Sequence, residues 1–167
     1  AIGAAYAGKR TLAAMKHVGL NVASDALFYS SYTGVNAGLV IVSADDPGLH
    51  SSQNEQDNRQ YARFAKVPML EPSDSQEAKT FVKLGLELSE QYDTPVLVRM
   101  TTRTSHSKTG VTLEERQAVA KRSYVKDFGK YVVLPANARK RHGVVEERIV
   151  QLRQLAEETE INRIEMG

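Results

Sequence analysis

Residues 43–59 hold the densest group of side chains that could do chemistry. They read Ser-Ala-Asp-Asp-Pro-Gly-Leu-His-Ser-Ser-Gln-Asn-Glu-Gln-Asp-Asn-Arg and follow the apolar run at 38–42. His50, Ser52 and Asn54 could orient a carboxylate or a keto oxygen through hydrogen bonds. Polar loops at the carboxyl ends of buried strands are where α/β proteins bind ligands, so we predict a ligand-binding loop here. A solvated surface loop is the alternative that the residues alone leave open.

Two adjacent carboxylates in this loop, Asp45 and Asp46, invite a magnesium interpretation because hard cations take carboxylate ligands. Adjacent side chains at the end of a strand point apart, however. We therefore predict that one of them caps a turn or pairs with a Lys or Arg, and that the two do not form a metal site.

A second candidate site lies at residues 15–21, Met-Lys-His-Val-Gly-Leu-Asn, between a predicted strand and a predicted helix. Backbone amides at the start of a helix face outward and suit a polar ligand. Gly19 permits the close approach of a ring or a phosphate. His17, Gly19 and Asn21 are the candidates, and an ordinary strand–helix turn with a surface His is the alternative.

A third candidate site closes the last strand of the pattern, at residues 99–106, Arg-Met-Thr-Thr-Arg-Thr-Ser-His. Arg103 or His106 could bind a substrate carboxylate, since Arg makes bidentate pairs with carboxylates. A basic strand end that anchors the following segment is an equally good explanation.

Two other motifs could suggest a nucleotide-phosphate site and a nucleic-acid site, and the residues favour neither. The spacing Gly3-x4-Gly8-Lys9 resembles a phosphate-binding loop, but Arg10 occupies the place of the Ser or Thr that binds magnesium, and no strand precedes Gly3. The basic run at residues 139–142 has no interleaved aromatic residues, so we interpret it as a solvated face or a subunit contact.

The composition excludes several classes of protein. A net charge of +2, from 22 basic and 20 acidic residues, leaves no electrostatic footprint for nucleic acid. No apolar run reaches the roughly 20 residues that a membrane span needs, so we expect no membrane partner. The sequence contains no Cys, so it can supply neither a disulfide nor a cysteine ligand to an iron–sulfur cluster. We expect a cytoplasmic location.

Apolar runs and helical patterns alternate along the chain. We predict helices at residues 1–8, 19–31, 56–65 and 73–92, with Ser73 or Ser75 as the cap of the last, and strands at residues 10–16, 38–43, 67–70 and 96–100. This alternation predicts an α/β fold with a mostly parallel sheet, helices on both faces and a C-terminal linker helix at residues 144–158. We divide the chain into an α/β domain at 1–107 and a linker at 108–167 that leads, from about residue 161, into a further element.

On these residues the chain resembles the thiamine-diphosphate pyrimidine-binding domain of the large subunits of indolepyruvate:ferredoxin oxidoreductases, members of the 2-oxoacid:ferredoxin oxidoreductase superfamily. The similarity extends over the whole sequence, and its strongest pieces are residues 15–22, 32–59, 67–78 and 103–108. The resemblance implies that His17, Gly19 and Asn21 lie beside the cofactor. It also implies that His50, Ser52, Asn54 and Arg103 face the substrate.

The resemblance further implies oxidative decarboxylation of aryl 2-oxoacids to acyl-coenzyme A, with ferredoxin as electron acceptor. Thiamine diphosphate, magnesium, 4Fe-4S clusters and coenzyme A would serve the full enzyme, a hetero-oligomer with a diphosphate-binding domain and a small (beta) subunit. The Gly-Asp-Gly magnesium motif of thiamine enzymes is absent from the sequence. We expect the catalytic glutamate upstream of Ala1, which would leave this fragment inactive alone. A non-oxidative decarboxylase and a non-catalytic assembly domain are the alternatives.

Overall fold

The strands form one sheet, in which every neighbouring pair is parallel. The computed structural model describes residues 1–162 and 166, so the predicted lead into a further element lies mostly outside the described residues. Within the described part the sheet order is β1-β2-β4-β3, and the strands are β1 (Thr11–Lys16), β2 (Leu39–Ala44), β3 (Met69–Leu70) and β4 (Val96–Met100). The predicted α/β class and parallel sheet are confirmed.

Helices connect the strands and cover the sheet. They are α1 (Ile2–Tyr6), α2 (His17–Val22), α3 (Ser24–Thr33), α4 (Arg59–Ala65), α5 (Ser75–Gln91), α6 (Thr102–His106), α7 (Phe128–Tyr131) and α8 (Pro135–Glu158). Among the described residues, none of them is long and apolar enough to cross a membrane.

The two faces of the sheet bury different residues because side chains alternate along a strand. Leu39, Ile41 and Leu97 pack with residues of α1 to α4 on one face. Val40 and Val96 pack on the other face, with residues of α5 and with Leu155 of α8. Helices therefore lie on both faces, as predicted, and a strand covered on both sides reads as a continuous apolar run.

The start of α5 differs from the prediction. Asp74, and not Ser73 or Ser75, caps the helix: its backbone is extended and its carboxylate accepts a hydrogen bond from the amide of Glu77 at 2.8 Å. Glu77 in turn accepts from the backbone amide of Ser73 at 2.7 Å. The Glu77 side chain thus bonds the residue before the cap, one position earlier than in a capping box, and Asp serves as well as Ser because either side chain offers an oxygen to the N3 amide.

The C-terminal helix also differs from the prediction, since α8 begins at Pro135, nine residues before the predicted start at 144. Proline suits the first helical position because the amide that it lacks has no partner there anyway. The short helix α6 was not predicted at all. The division into a domain at 1–107 and a linker at 108–167 stays a prediction.

The C-terminal helix α8 is anchored to the rest of the chain by a buried arginine. Arg148 is 3% exposed and donates to the carbonyls of Asp93 (2.9 Å) and Ser31 (2.6 Å). Burial lowers the pKa of Arg148 to about 10, which leaves the guanidinium charged at neutral pH. Val145 and Leu152 are buried on the same helix. The described part of α8 therefore packs on the α/β unit.

We predict that Leu152→Ala destabilises the docking of α8. Leu152 is 7% exposed, and truncating a buried leucine costs about 2–4 kcal/mol in lost transfer energy and cavity formation. Hydrogen exchange of the α8 amides in the complete protein measures the free energy of local opening. Val150→Ala on the same helix, at a side chain 63% exposed, is the control and should change it by less than about 0.5 kcal/mol. Equal effects of the two substitutions would contradict the docking.

Candidate functional site

The carboxyl ends of three strands meet at one edge of the sheet. Lys16, the last residue of β1, pairs with Ala44, the last of β2, and Ala44 pairs with Met100, the last of β4. The segments that begin at His17, Asp45 and Thr101 therefore leave the sheet side by side. All three candidate sequences lie at this edge, which is the edge where α/β proteins bind ligands.

A buried ion pair lies beneath this edge. Arg99 of β4 donates through Nε to Asp45 Oδ2 at 2.6 Å, and both side chains are less than a tenth exposed. Arg99 also bonds the carboxylate of Glu71, which directly follows β3. Burial alone would lower the pKa of Arg99, but the hydrogen bonds to Asp45 and Glu71 raise it overall. The predicted pairing of one loop aspartate with a basic residue is confirmed, with Arg99 as the partner.

A shell of neutral polar groups completes the pairing of Asp45. The hydroxyl of Ser43 donates to Asp45 Oδ1 at 2.8 Å, and the backbone amide of Asn58 donates to Asp45 Oδ2 at 3.0 Å. Asn58 Nδ2 also donates to the hydroxyl of Ser43 at 2.6 Å. These buried groups join the two ends of the loop to β2. Sequence reasoning did not single out Ser43, Asn58 or Arg99 for this role.

Asp46 faces away from that pair. It accepts hydrogen bonds from Ser51, Ser52 and Thr102, and the bonds from Ser52, Thr102 and the Ser51 backbone hold its pKa well below the usual range of a carboxyl group. Among the described residues, no group of three or more His, Cys, Asp or Glu side chains could hold a metal ion. The two aspartates diverge, which is the geometry expected of neighbours at a strand end.

His17 is fully buried at the start of α2. Its Nε2 lies 3.0 Å from the carbonyl of Asn54, and its Nδ1 lies 3.4 Å from the carbonyl of Ala44. Both ring nitrogens face carbonyl acceptors, and the contact between Nε2 and Asn54 is the shorter of the two. The imidazole therefore holds the middle of the loop against the end of β2.

Gly19 and Asn21 lie on the same short helix. A Cβ on Gly19 would come within 3.0 Å of the Met15 Cβ, so glycine allows α2 to lie close to β1. Asn21 is exposed, and its side-chain oxygen accepts a hydrogen bond from the hydroxyl of Tyr61 on α4. The roles of His17, Gly19 and Asn21 at a cofactor remain predictions.

The loop residues predicted for the substrate lie in three different settings. His50 is exposed, Ser52 is half-buried with its hydroxyl 2.5 Å from Asp46 Oδ2, and Asn54 accepts a 2.8 Å hydrogen bond from Gln56 Nε2. The loop is thus brought together by internal hydrogen bonds and presents His50 outward. Its role toward a substrate remains a prediction.

Arg103 lies on α6 and not at a strand end. Thr101 caps this helix by accepting from the Thr104 amide at 3.3 Å, and Arg103 is exposed. His106 Nδ1 lies 2.9 Å from the carbonyl of Thr102 on its own helix. Among the described residues, Arg103 forms no ion pair. Arg103 is therefore a cation at the sheet edge that is available to an external anion.

A parallel α/β sheet with polar loops at the carboxyl ends of its strands is typical of proteins that bind cofactors there. The chain belongs to the family described as pyruvate flavodoxin/ferredoxin oxidoreductase, thiamine diphosphate-binding, whose profile matches residues 1–162.

Curated relatives of known name narrow the comparison within this family. The chain is 48% identical over 168 residues to the indolepyruvate oxidoreductase subunit IorA of Methanothermobacter thermautotrophicus, and 44% identical over 169 residues to that of Archaeoglobus fulgidus. Both alignments cover all of this chain and 27% of the relative, so the chain spans about a quarter of the relatives' length. The resemblance predicted from the sequence is confirmed.

A solved structure supports the fold. The 2-oxoglutarate:ferredoxin oxidoreductase from Magnetococcus marinus, with 2-oxoglutarate, coenzyme A and succinyl-CoA bound, aligns with a TM-score of 0.58 over 92% of this chain and 34% of its own. At 16% sequence identity this likeness concerns the fold alone.

The residues at the edge fit one half of thiamine diphosphate. Gln56 Oε1 is buried and accepts no hydrogen bond from the described residues, so it suits a donor such as the amino group of an aminopyrimidine. Binding of a diphosphate requires a cluster of cationic groups or a bound metal ion. Arg99 is already neutralised by carboxylates, and no group of metal-ligating side chains occurs in the described part of the chain. The ring, and not the diphosphate, suits this edge.

We predict that Asp45→Ala costs about 3 kcal/mol of stability, because it leaves Arg99 buried with its main partner removed. Pulse proteolysis of the complete protein in urea measures the change. Glu146→Ala is the control: Glu146 and its partner Lys66 are 46% and 36% exposed and lie apart from Arg99, so this substitution should leave the stability nearly unchanged. Similar costs for the two substitutions would contradict a structural role of the buried pair.

Proposed function

We propose that the complete protein is a thiamine-diphosphate-dependent 2-oxoacid:ferredoxin oxidoreductase that converts aryl 2-oxoacids, such as indolepyruvate, to acyl-coenzyme A in the cytoplasm. In this proposal, the chain supplies the wall of the cofactor cleft that receives the pyrimidine ring. The observation that carries the proposal is the alignment of the whole chain with IorA subunits at 44–48% identity, combined with the thiamine-diphosphate-binding family match.

The cofactor would lie along the edge formed by α2 and the loop. When bound, thiamine diphosphate supplies the carbanion stabilisation that loss of carbon dioxide requires. His17 would hold the loop in place through Asn54, Gly19 would keep α2 close to β1, and Asn21 would lie beside the ring. Gln56 Oε1, which accepts no hydrogen bond from the described residues, would accept one from a donor on the ring.

Other groups would come from outside this chain. Magnesium needs oxygen ligands that the diphosphate-binding domain would supply. The 4Fe-4S clusters need cysteines, and this sequence has none. The partners that we propose are that diphosphate-binding domain, a small (beta) subunit and ferredoxin, with coenzyme A as co-substrate. The bound coenzyme A of the Magnetococcus enzyme supports the last of these.

The chain's own contribution to substrate binding would be a charge and a set of polar groups. Two arginines lie near the edge, but Arg99 is buried and neutralised by Asp45 and Glu71. Arg103 is exposed and forms no ion pair among the described residues, so its guanidinium could form a bidentate pair with the carboxylate of a 2-oxoacid. His50 and Asn54 would orient the remaining oxygens of the substrate, and Ser52, whose hydroxyl donates to Asp46, would hold the loop beside them.

We predict that Arg103→Ala raises the KM for indolepyruvate at least about tenfold, because a charge-assisted hydrogen bond is lost. Steady-state reduction of a viologen dye by the complete protein, with indolepyruvate and coenzyme A, measures it. Arg63→Ala, at an exposed arginine on α4, is the control and should leave KM unchanged. An unchanged KM in Arg103→Ala would remove Arg103 from the substrate site.

The same assay tests the activity itself. If the complete protein releases carbon dioxide from indolepyruvate without reducing ferredoxin or the dye, it is a non-oxidative decarboxylase. If it neither binds thiamine diphosphate nor turns over any 2-oxoacid, it is a structural or assembly subunit. Either outcome would refute the proposed function.

We predict that His17→Ala weakens thiamine diphosphate binding by the complete protein about tenfold, because the loop loses its hydrogen bond at Asn54. Isothermal titration measures the affinity. His106→Ala is the control, since His106 is exposed and bonds only a carbonyl of its own helix. Equal affinities for the wild type and His17→Ala would exclude a role for His17 at the cofactor.

A further inference from the structure

Asp46 is a nearly buried carboxylate, 5% exposed, whose two oxygens serve two different elements. Oδ2 accepts from the Ser51 amide at 2.8 Å and from the Ser52 hydroxyl at 2.5 Å, both within the loop. Oδ1 accepts from the Thr102 hydroxyl at 2.7 Å, at the start of α6. One side chain therefore bonds the loop with one oxygen and the helix with the other.

The helix α6 makes few other hydrogen bonds to distant segments among the described residues. It contains five residues, none of them buried. Among the described residues, its other side-chain hydrogen bond to a distant segment joins Thr104 Oγ1 to the Pro72 carbonyl at 3.5 Å, which is at the limit of a hydrogen bond. The bond between Thr102 and Asp46 is much shorter. It is also stronger in kind, because its acceptor is ionised.

We propose that Asp46 and Thr102 form a positioning link that sets where Arg103 lies relative to the loop that carries His50 and Ser52. The proposal rests on the proposed function, because it assigns Arg103 to the substrate carboxylate. Among the described residues, Asp46 pairs with no Lys or Arg. The link therefore places α6 through neutral donors and leaves the positive charge of Arg103 uncompensated for the substrate.

The separation of the two oxygens explains why a carboxylate suits this place. The Ser51 amide can only donate, and both hydroxyls donate in the observed arrangement. A carboxylate is acceptor-only, so it satisfies all three donors at once. Neighbouring Asp45 has a different task, since it neutralises Arg99 beneath the sheet edge.

The test removes the helix half of the link alone. Thr102→Val keeps the shape of the side chain and deletes the donor, and we expect the KM for indolepyruvate to rise about fivefold with kcat changed less than about twofold. Thr102→Ser keeps the hydroxyl and should restore the wild-type KM to within about twofold. Ser105→Ala, at an exposed residue of the same helix, should leave KM unchanged. All variants are made in the complete protein.

A double-mutant cycle separates positioning from a general structural effect. If Thr102 acts through Arg103, Thr102→Val adds nothing to the KM of Arg103→Ala. A wild-type KM in Thr102→Val overturns the link, and so does an equal further rise in the Arg103→Ala background. If Arg103→Ala itself leaves KM unchanged, the substrate role of Arg103 fails and the positioning function fails with it.

Hydrogen exchange gives a readout that does not depend on activity. Loss of the link should speed exchange at the amides of α6 and at Ser51, where the wild-type amide bonds Asp46. Unchanged exchange at both places in Thr102→Val overturns the link whether or not Arg103 binds the substrate.

Discussion

The buried pair between Arg99 and Asp45 is the interaction on which the functional edge of this protein depends. It joins β4 to the residue that follows β2, at 2.6 Å and almost out of contact with water. Removing two charges from water is costly, so such a pair persists only when further hydrogen bonds satisfy both partners. Ser43 and Asn58 supply those bonds to Asp45, and Glu71 supplies one to Arg99. The loop is consequently tied to the sheet at both of its ends.

Above this pair, the loop is organised by a histidine and by a carboxylate that accepts hydrogen bonds from neutral donors. The ring of His17 contacts the backbone carbonyl of Asn54 in the middle of the loop. The carboxylate of Asp46 accepts hydrogen bonds from Ser51 in the loop and from Thr102 at the start of α6. A rigid layer thus lies beneath a polar surface, which is how binding loops are positioned on α/β scaffolds. Among the described residues Arg103 forms no ion pair, and its free positive charge supports its assignment to an anionic substrate.

Most of the fold could be predicted because it follows from local periodicity. The apolar run at β2, the helical spacing of α5 and the alternation of strands with helices predicted a parallel sheet with helices on both faces, which the structure confirms. Boundaries that depend on a single contact were wrong. Asp74 caps α5 because its carboxylate reaches the Glu77 amide, and α8 starts at Pro135, in a stretch with no strong helical period.

The sequence by itself determined the α/β class, the polar loop and the family resemblance, because these are carried by residue types and short spacings. It also indicated that one of two adjacent aspartates caps a turn or pairs with a basic residue. Only the tertiary structure decided which one, since Asp45 meets Arg99 across 54 positions of the chain and Asp46 meets Thr102 across 56. Such meetings depend on β2 and β4 being neighbours in register, and strand order is a property of the folded sheet that local patterns do not contain.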